Sequence, residues 1–233
     1  MGMLFLAPKH LKFFKEMFCM KTKKIVTSAM LIAFALILSF VQIFVLPFGG
    51  SITLVSMLPV ILAGYLFGTK TGLIAAFAYS VLQMIAGFGT VSAFFLPGDS
   101  QMAPFAAISI CLIDYVFAYT VLGLGGVFRP YCKKEISSMV LGVFLTITLR
   151  YIMHIISGYI FFGQWAEWFF SDSTGLSQIT VFKGFCDWVM NNLSGNGLAL
   201  VYSVTYNGAY MIPELIITLA VTPIVFKAIR KAM

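Results

Sequence analysis

Long apolar stretches, broken at intervals by Gly, Pro and charge, dominate the chain. No Asp, Glu, Lys or Arg lies between Lys24 and Lys70, and none between Lys70 and Asp99. An uncharged run well beyond the roughly 20 residues that cross a bilayer contains more than one membrane span. Gly, Pro and charged positions divide these runs into six predicted helices, over residues 25–47, 56–69, 70–88, 103–128, 137–163 and 199–227. The second is short for a span and starts near Pro59, which predicts a tilted helix or one pressed against its neighbours. The segment 164–198 predicts an extended loop between helices 5 and 6, carrying Trp165, Trp168 and Trp188. Two readings of it stand open: an interfacial aromatic helix lying on the outer leaflet, or a lid over an outward-facing site. No internal repeat is visible, which weighs against an inverted-repeat secondary transporter.

Composition sharpens this pattern. Of 233 residues, 61% are hydrophobic and 10% charged, against roughly 25% charged in soluble domains. A water-soluble fold of this length has no interior large enough for that apolar content. The expected fold class is an all-α membrane protein of six transmembrane helices. Short basic loops stay in the cytoplasm, and charge placement orients the six spans. All of the 15 Lys and Arg residues except Arg150 and Lys183 fall in the N-terminal stretch, at Lys70, in the loop between helices 4 and 5, or at the C-terminal end. The outer loops hold Asp99, Glu167, Asp172 and Asp187. Both termini are therefore expected in the cytoplasm. The net charge of +7 reads as a topology signal and a headgroup contact, with no nucleic-acid footprint.

Residues 1–24 are basic and aromatic, and predict an interfacial amphipathic helix ahead of a single transmembrane domain over residues 25–233. No small-residue cleavage site follows, so helix 1 is expected to be a retained span; Met20 offers an alternative start to Met1. Cys19, Cys111, Cys132 and Cys186 are scattered, giving neither a disulfide framework nor a CxxC metal pair. Gly68-Thr69-Lys70-Thr71 lacks the spacing of a P-loop, so any ATP-driven activity requires a partner chain. No cofactor or metal is expected.

Ionisable groups inside the hydrocarbon zone are costly and point to function. They are Asp114 in helix 4, Arg150 and His154 in helix 5, and Glu214 in helix 6, with Tyr115, Tyr202, Tyr206 and Asn207 close by. Counting about 1.5 Å per residue from the outer helix ends gives an upper layer of Asn207, His154 and Asp114, and a lower one of Arg150 and Glu214. At one depth, Arg150 and Glu214 predict a structural ion pair. Asp114 is the ligand candidate, since a carboxylate beside aromatic rings suits an organic cation; a partnership with Arg150 is its alternative. His154 lies one turn above Arg150, with Gly158 and Phe162 continuing the face. A lone His of this kind is more often a satisfied hydrogen-bonder than a ligand. Helix 1 carries Ala29-x-x-x-Ala33, a small-residue spacing that lets helices approach closely, either inside the protein or at a partner.

At these residues the chain resembles a known family. The stretches Gly49-Gly50-Ser51-Ile52-Thr53 through Pro59, Gly72-Leu73 with Gln83, Leu112-Ile113-Asp114-Tyr115 with Leu122-Gly123-Leu124-Gly125-Gly126, Leu149-Arg150-Tyr151 with His154, Ser157-Gly158 and Phe161-Phe162-Gly163, and Tyr202-Ser203-Val204-Thr205-Tyr206-Asn207 with Tyr210 and Pro213 are similar to the thiamine-specific substrate-binding (S) components of energy-coupling factor transporters. The likeness spans about residues 25–228.

The resemblance implies a six-helix protein of the bacterial cell membrane that captures thiamine from outside. It also implies docking on a transmembrane coupling protein with two cytosolic ATPase subunits, through Ala29 and Ala33. Carried over by position, the substrate-binding residues are Asp114, Tyr115, His154, Phe162, Tyr202 and Asn207. Some members place Trp at the Phe162 position and another in the first outer loop. That loop has no Trp here, and Phe48 is the nearest substitute. The loop 164–198 is longer than in compact members.

The chemistry agrees with the resemblance. An aminopyrimidine joined to a thiazolium cation can be met by the Asp114 carboxylate, by the faces of Phe162, Tyr115 and Tyr202, and by hydrogen bonds from His154 and Asn207. No catalytic set is expected: Ser194 lies in the outer loop with no polar partner to orient it towards His154, which argues against an intramembrane hydrolase. A same-fold S component for another small vitamin or precursor, and a non-transport membrane scaffold, are the alternatives.

Overall fold

The computed structural model describes residues 9–46, 50–171 and 175–232, with side chains from Thr22 to Lys231 within them. Phe48 and Asp172, singled out from the sequence, lie outside the described residues. The elements are α1 (Lys9–Ser39), a hairpin of β1 (Gln42–Val45) and β2 (Ser51–Thr53), α2 (Leu58–Phe67), α3 (Thr69–Ala86), α4 (Phe88–Ala93), α5 (Pro104–Gly126), α6 (Glu135–Phe161), α7 (Ala166–Phe170), α8 (Thr180–Asn192) and α9 (Gly195–Ala232). Within the described residues four helices are long and apolar enough to cross a membrane: α1 from Thr22, α5, α6 and α9. The remaining predicted spans are α2, of 10 residues, and α3, of 18.

Helix α2 reaches only about 15 Å at 1.5 Å per residue, half the hydrocarbon thickness. It is apolar all round because it is buried all round, every residue from Leu58 to Tyr65 being enclosed. Its neighbours approach backbone to backbone. A Cβ added to Gly64 or Gly72 would strike the Gly123 carbonyl of α5, and one on Gly123 would strike Gly72. These three glycines are therefore required by close helix contact, the small-residue mode of packing in lipid. At the opposite end of the bundle from the hairpin, Arg230 of α9 pairs with Glu135 of α6 at 3.1 Å, and Arg129 donates to the Tyr65 carbonyl at 2.7 Å.

The structure departs from the expected elements in two places. The basic stretch is not a separate helix: α1 runs without interruption from Lys9 to Ser39. Helix 1 stops eight residues earlier than its apolar run, and Gln42–Val45 turns back as a strand, pairing Gln42 with Thr53, Phe44 with Ile52 and Val45 with Ser51. An unbroken apolar run has no period to separate helix from strand, while the β-branched and aromatic residues there favour the strand. The outer segment carries two helices, α7 and α8, between α6 and α9. Phe169 and Phe170 of α7 are buried, whereas α8 leaves Val181 and Trp188 exposed.

Candidate ligand-binding site

A cavity of about 420 Å³ opens between the hairpin, α3, α5, α6 and α9, within the size range of small-molecule sites. Asp114, Tyr115, His154, Phe162, Tyr202 and Asn207, all six residues predicted to bind substrate, line it together with Arg150 and Glu214.

Asp114 and Tyr115 stand on a π-helical turn, Cys111–Phe117, inside α5. Such one-turn bulges recur at functional sites because they re-aim side chains within a helix. Asp114 faces α6. Its Oδ1 lies 2.9 Å from His154 Nδ1, and its Oδ2 accepts from Ser157 Oγ at 2.6 Å. Arg150 Nε donates to His154 Nε2 at 3.2 Å. Since Arg has no acceptor, Nε2 must be the bare nitrogen, and Nδ1 carries the proton it donates to Asp114. The histidine is thus a neutral strut between guanidinium and carboxylate.

The expected Arg150–Glu214 ion pair is not formed. The Arg150 guanidinium sits over the Tyr119 ring, 4.1 Å from its centroid, and its Nε is directed at His154. Glu214 is held from the other side: its Oε1 accepts from the backbone N–H and from Oγ1 of Thr53, each at 2.5 Å. Thr53 Oγ1 in turn accepts from Ser56 Oγ at 2.7 Å. The hairpin, which the sequence pattern concealed, supplied a competing partner for the carboxylate. The alternative Asp114–Arg150 pairing is also absent, because His154 stands between them. Val55, at φ 50°, bends the chain between Thr53 and Ser56; a β-branched residue in that region costs about 1–3 kcal/mol.

Aromatic rings make the remaining wall. Tyr202, Tyr206 and Tyr210 repeat at i, i+4 and i+8 along α9, with centroids 5.7 and 6.2 Å apart. The Gly50 N–H donates to Tyr206 Oη at 3.4 Å, tying hairpin to helix. Phe162 contacts Phe94 at 6.0 Å and Trp165 at 5.5 Å. Asn207 is less available than its predicted role suggests. Its Nδ2 donates to the carbonyls of His154 and Ser203 at 3.2 and 2.9 Å, and its Oδ1 accepts from Tyr210 Oη at 2.7 Å. It joins α9 to α6 where Gly158 lets them touch, since a Cβ there would collide with Ser203. Ala29 and Ala33 are both exposed on α1, away from this cavity.

Residues 25–171 match the family described as Thiamine transporter protein (Thia_YuaJ). The chain belongs to that family. It is a transporter, not an enzyme, and a multi-pass protein of the bacterial cell membrane. This thiamine transporter family member is 28% identical over 214 residues to "Thiamine transporter ThiT" of Bacillus subtilis (strain 168), covering 87% of this chain and 90% of the relative. Its fold is shared with the solved structure of ThiT from Listeria monocytogenes, at TM-score 0.61 and 20% identity, over 91% of this chain and 97% of that one.

Several residues of the site in this family member escaped the sequence reading. Ser157 and Tyr119 were legible in principle, Ser157 one turn beyond His154 and Tyr119 one turn beyond Tyr115. Thr53 and Phe94 carried no such signal, because both lie outside the predicted helices or at their loop ends. Among the described residues no group of His, Cys, Asp and Glu is arranged to hold a metal.

Proposed function

We propose that this chain is the substrate-binding subunit of an energy-coupling factor importer, taking thiamine from outside into the 420 Å³ cavity and releasing it inward with an ATPase-driven coupling module. The observation that carries this reading is the convergence of Asp114, Tyr115, His154, Phe162, Tyr202 and Asn207, from three separate parts of the sequence, on one cavity. Asp114 accepts hydrogen bonds from the aminopyrimidine or balances the thiazolium. Tyr115, Phe162 and Tyr202 offer ring faces for stacking and cation–π contact. His154 and Asn207 chiefly hold the wall in register, Asn207 keeping one lone pair of Oδ1 for the ligand.

The chain crosses the membrane six times with both termini inside, α2 and α3 counted as spans and the site opening outward beside the hairpin. Exposure of Ala29 and Ala33 on α1 favours their use in docking a transmembrane coupling protein that carries two cytosolic ATPase subunits, over an internal packing role. Purification from thiamine-replete cells followed by mass measurement of any released small molecule tests the reading. Recovery of thiamine is expected; stoichiometric recovery of a different vitamin would assign the site to that molecule instead.

A further inference from the structure

The second carboxylate of the cavity has no structural task for one of its oxygens. Glu214 is 3% exposed and lines the cavity. Both Thr53 donors are directed at Oε1, and Oε2 has no hydrogen-bond partner among the described residues. A buried carboxylate oxygen left unpaired is expensive, and Arg150, the guanidinium that lines the same cavity, is engaged with Tyr119 and His154. The full charges lining the cavity are Asp114, Glu214 and Arg150, since His154 is a neutral strut. Two carboxylates against one guanidinium leave one negative charge unmatched.

We propose that Glu214 is a ligand-contacting residue that gives the site its preference for a cation, its free oxygen meeting the positive ring of a monocationic ligand. This rests on the thiamine reading and adds a second anionic contact, on α9, to that of Asp114 on α5. The Thr53 bonds then have a positioning role. They fix Oε1 and leave Oε2 uncommitted, and they couple the hairpin to the residue that meets the ligand.

The test uses the full-length protein in detergent, with Glu214→Gln and two probes: thiamine, and an isostere carrying a neutral thiophene in place of the thiazolium. Gln keeps an acceptor oxygen for Thr53 and replaces the charged second oxygen by a neutral amide NH2 that donates instead of accepting. The expected result is a Kd for thiamine weakened by about tenfold or more, the range of a charge-assisted hydrogen bond, with the affinity for the neutral isostere unchanged. Equal losses for both probes, or unchanged affinity for both, would overturn the assignment. So would failure of Glu214→Gln to fold, because the fold would then require the charge itself. If the wild-type protein does not bind thiamine, the proposed function fails. If the wild type binds and the variant binds equally well, the role of Glu214 alone fails.

Discussion

Asp114 is the residue on which the site turns, and its environment explains why a carboxylate can stand there. Two side-chain donors, His154 and Ser157, hold its two oxygens, while Arg150 supports His154 from below. This arrangement stabilises the anion without a direct ion pair, and it leaves further lone pairs on the carboxylate for a ligand. Ser157→Ala should therefore reorient the carboxylate while leaving the charge in place. Loss of one such bond, worth about 1 kcal/mol, predicts thiamine binding weakened about fivefold by calorimetry, with little change in thermal unfolding. An unchanged Kd would mean that Ser157 does not position Asp114. At this scale the sequence was informative. Rare polar groups in an apolar background are conspicuous, and all eight singled out within spans 4–6 line one cavity. What it could not give was their pairing: helical depth placed Arg150 level with Glu214, but the azimuth of each side chain and the presence of Thr53 decided the partners.

Helix α7 of the outer segment packs behind the tyrosine wall. Helix α7 places Phe169 against Tyr202 and Tyr206, at 5.3 and 5.8 Å, and Phe170 packs on Phe185 of α8 at 6.0 Å. The segment thus braces the rings that face the cavity. Phe169→Ala should cost about 3–5 kcal/mol of stability, as for a buried aromatic, and should also weaken thiamine binding, because Tyr202 and Tyr206 lose their backing. Thermal unfolding and titration of one preparation check both effects; a stability loss with unaltered affinity would limit Phe169 to packing. Helices α5, α6 and α9 were legible because their apolar runs are long and bounded by charge. The hairpin was not, since in a membrane protein a strand and a helix end can both read as continuous apolar sequence. The π-helical turn at Asp114 leaves no mark in composition at all, because it is a change of one residue in hydrogen-bond register.

For the whole molecule, the proposed function makes the cavity and the docking surface separable. Ala29 and Ala33 lie exposed on α1 and do not line the cavity, so bulky residues there should leave binding intact and block transfer. Ala29→Trp with Ala33→Trp is expected to retain the wild-type Kd in detergent while abolishing ATP-dependent thiamine uptake in cells expressing the coupling subunits. Normal uptake by that variant would place docking elsewhere. The glycine contacts among α2, α3 and α5 serve the same architecture: they hold a short, fully enclosed α2 at the base of the bundle and leave the opposite end open between hairpin and tyrosines. The central claim is that this cavity is a thiamine site organised around Asp114. Calorimetric titration of thiamine into the purified wild type and Asp114→Asn tests it most directly. The account predicts saturable one-to-one binding to the wild type and an affinity reduced about 10–100-fold in the variant, the cost of a charged hydrogen-bonding group. Absence of saturable heat with the wild type, or equal affinities for the two proteins, would contradict it.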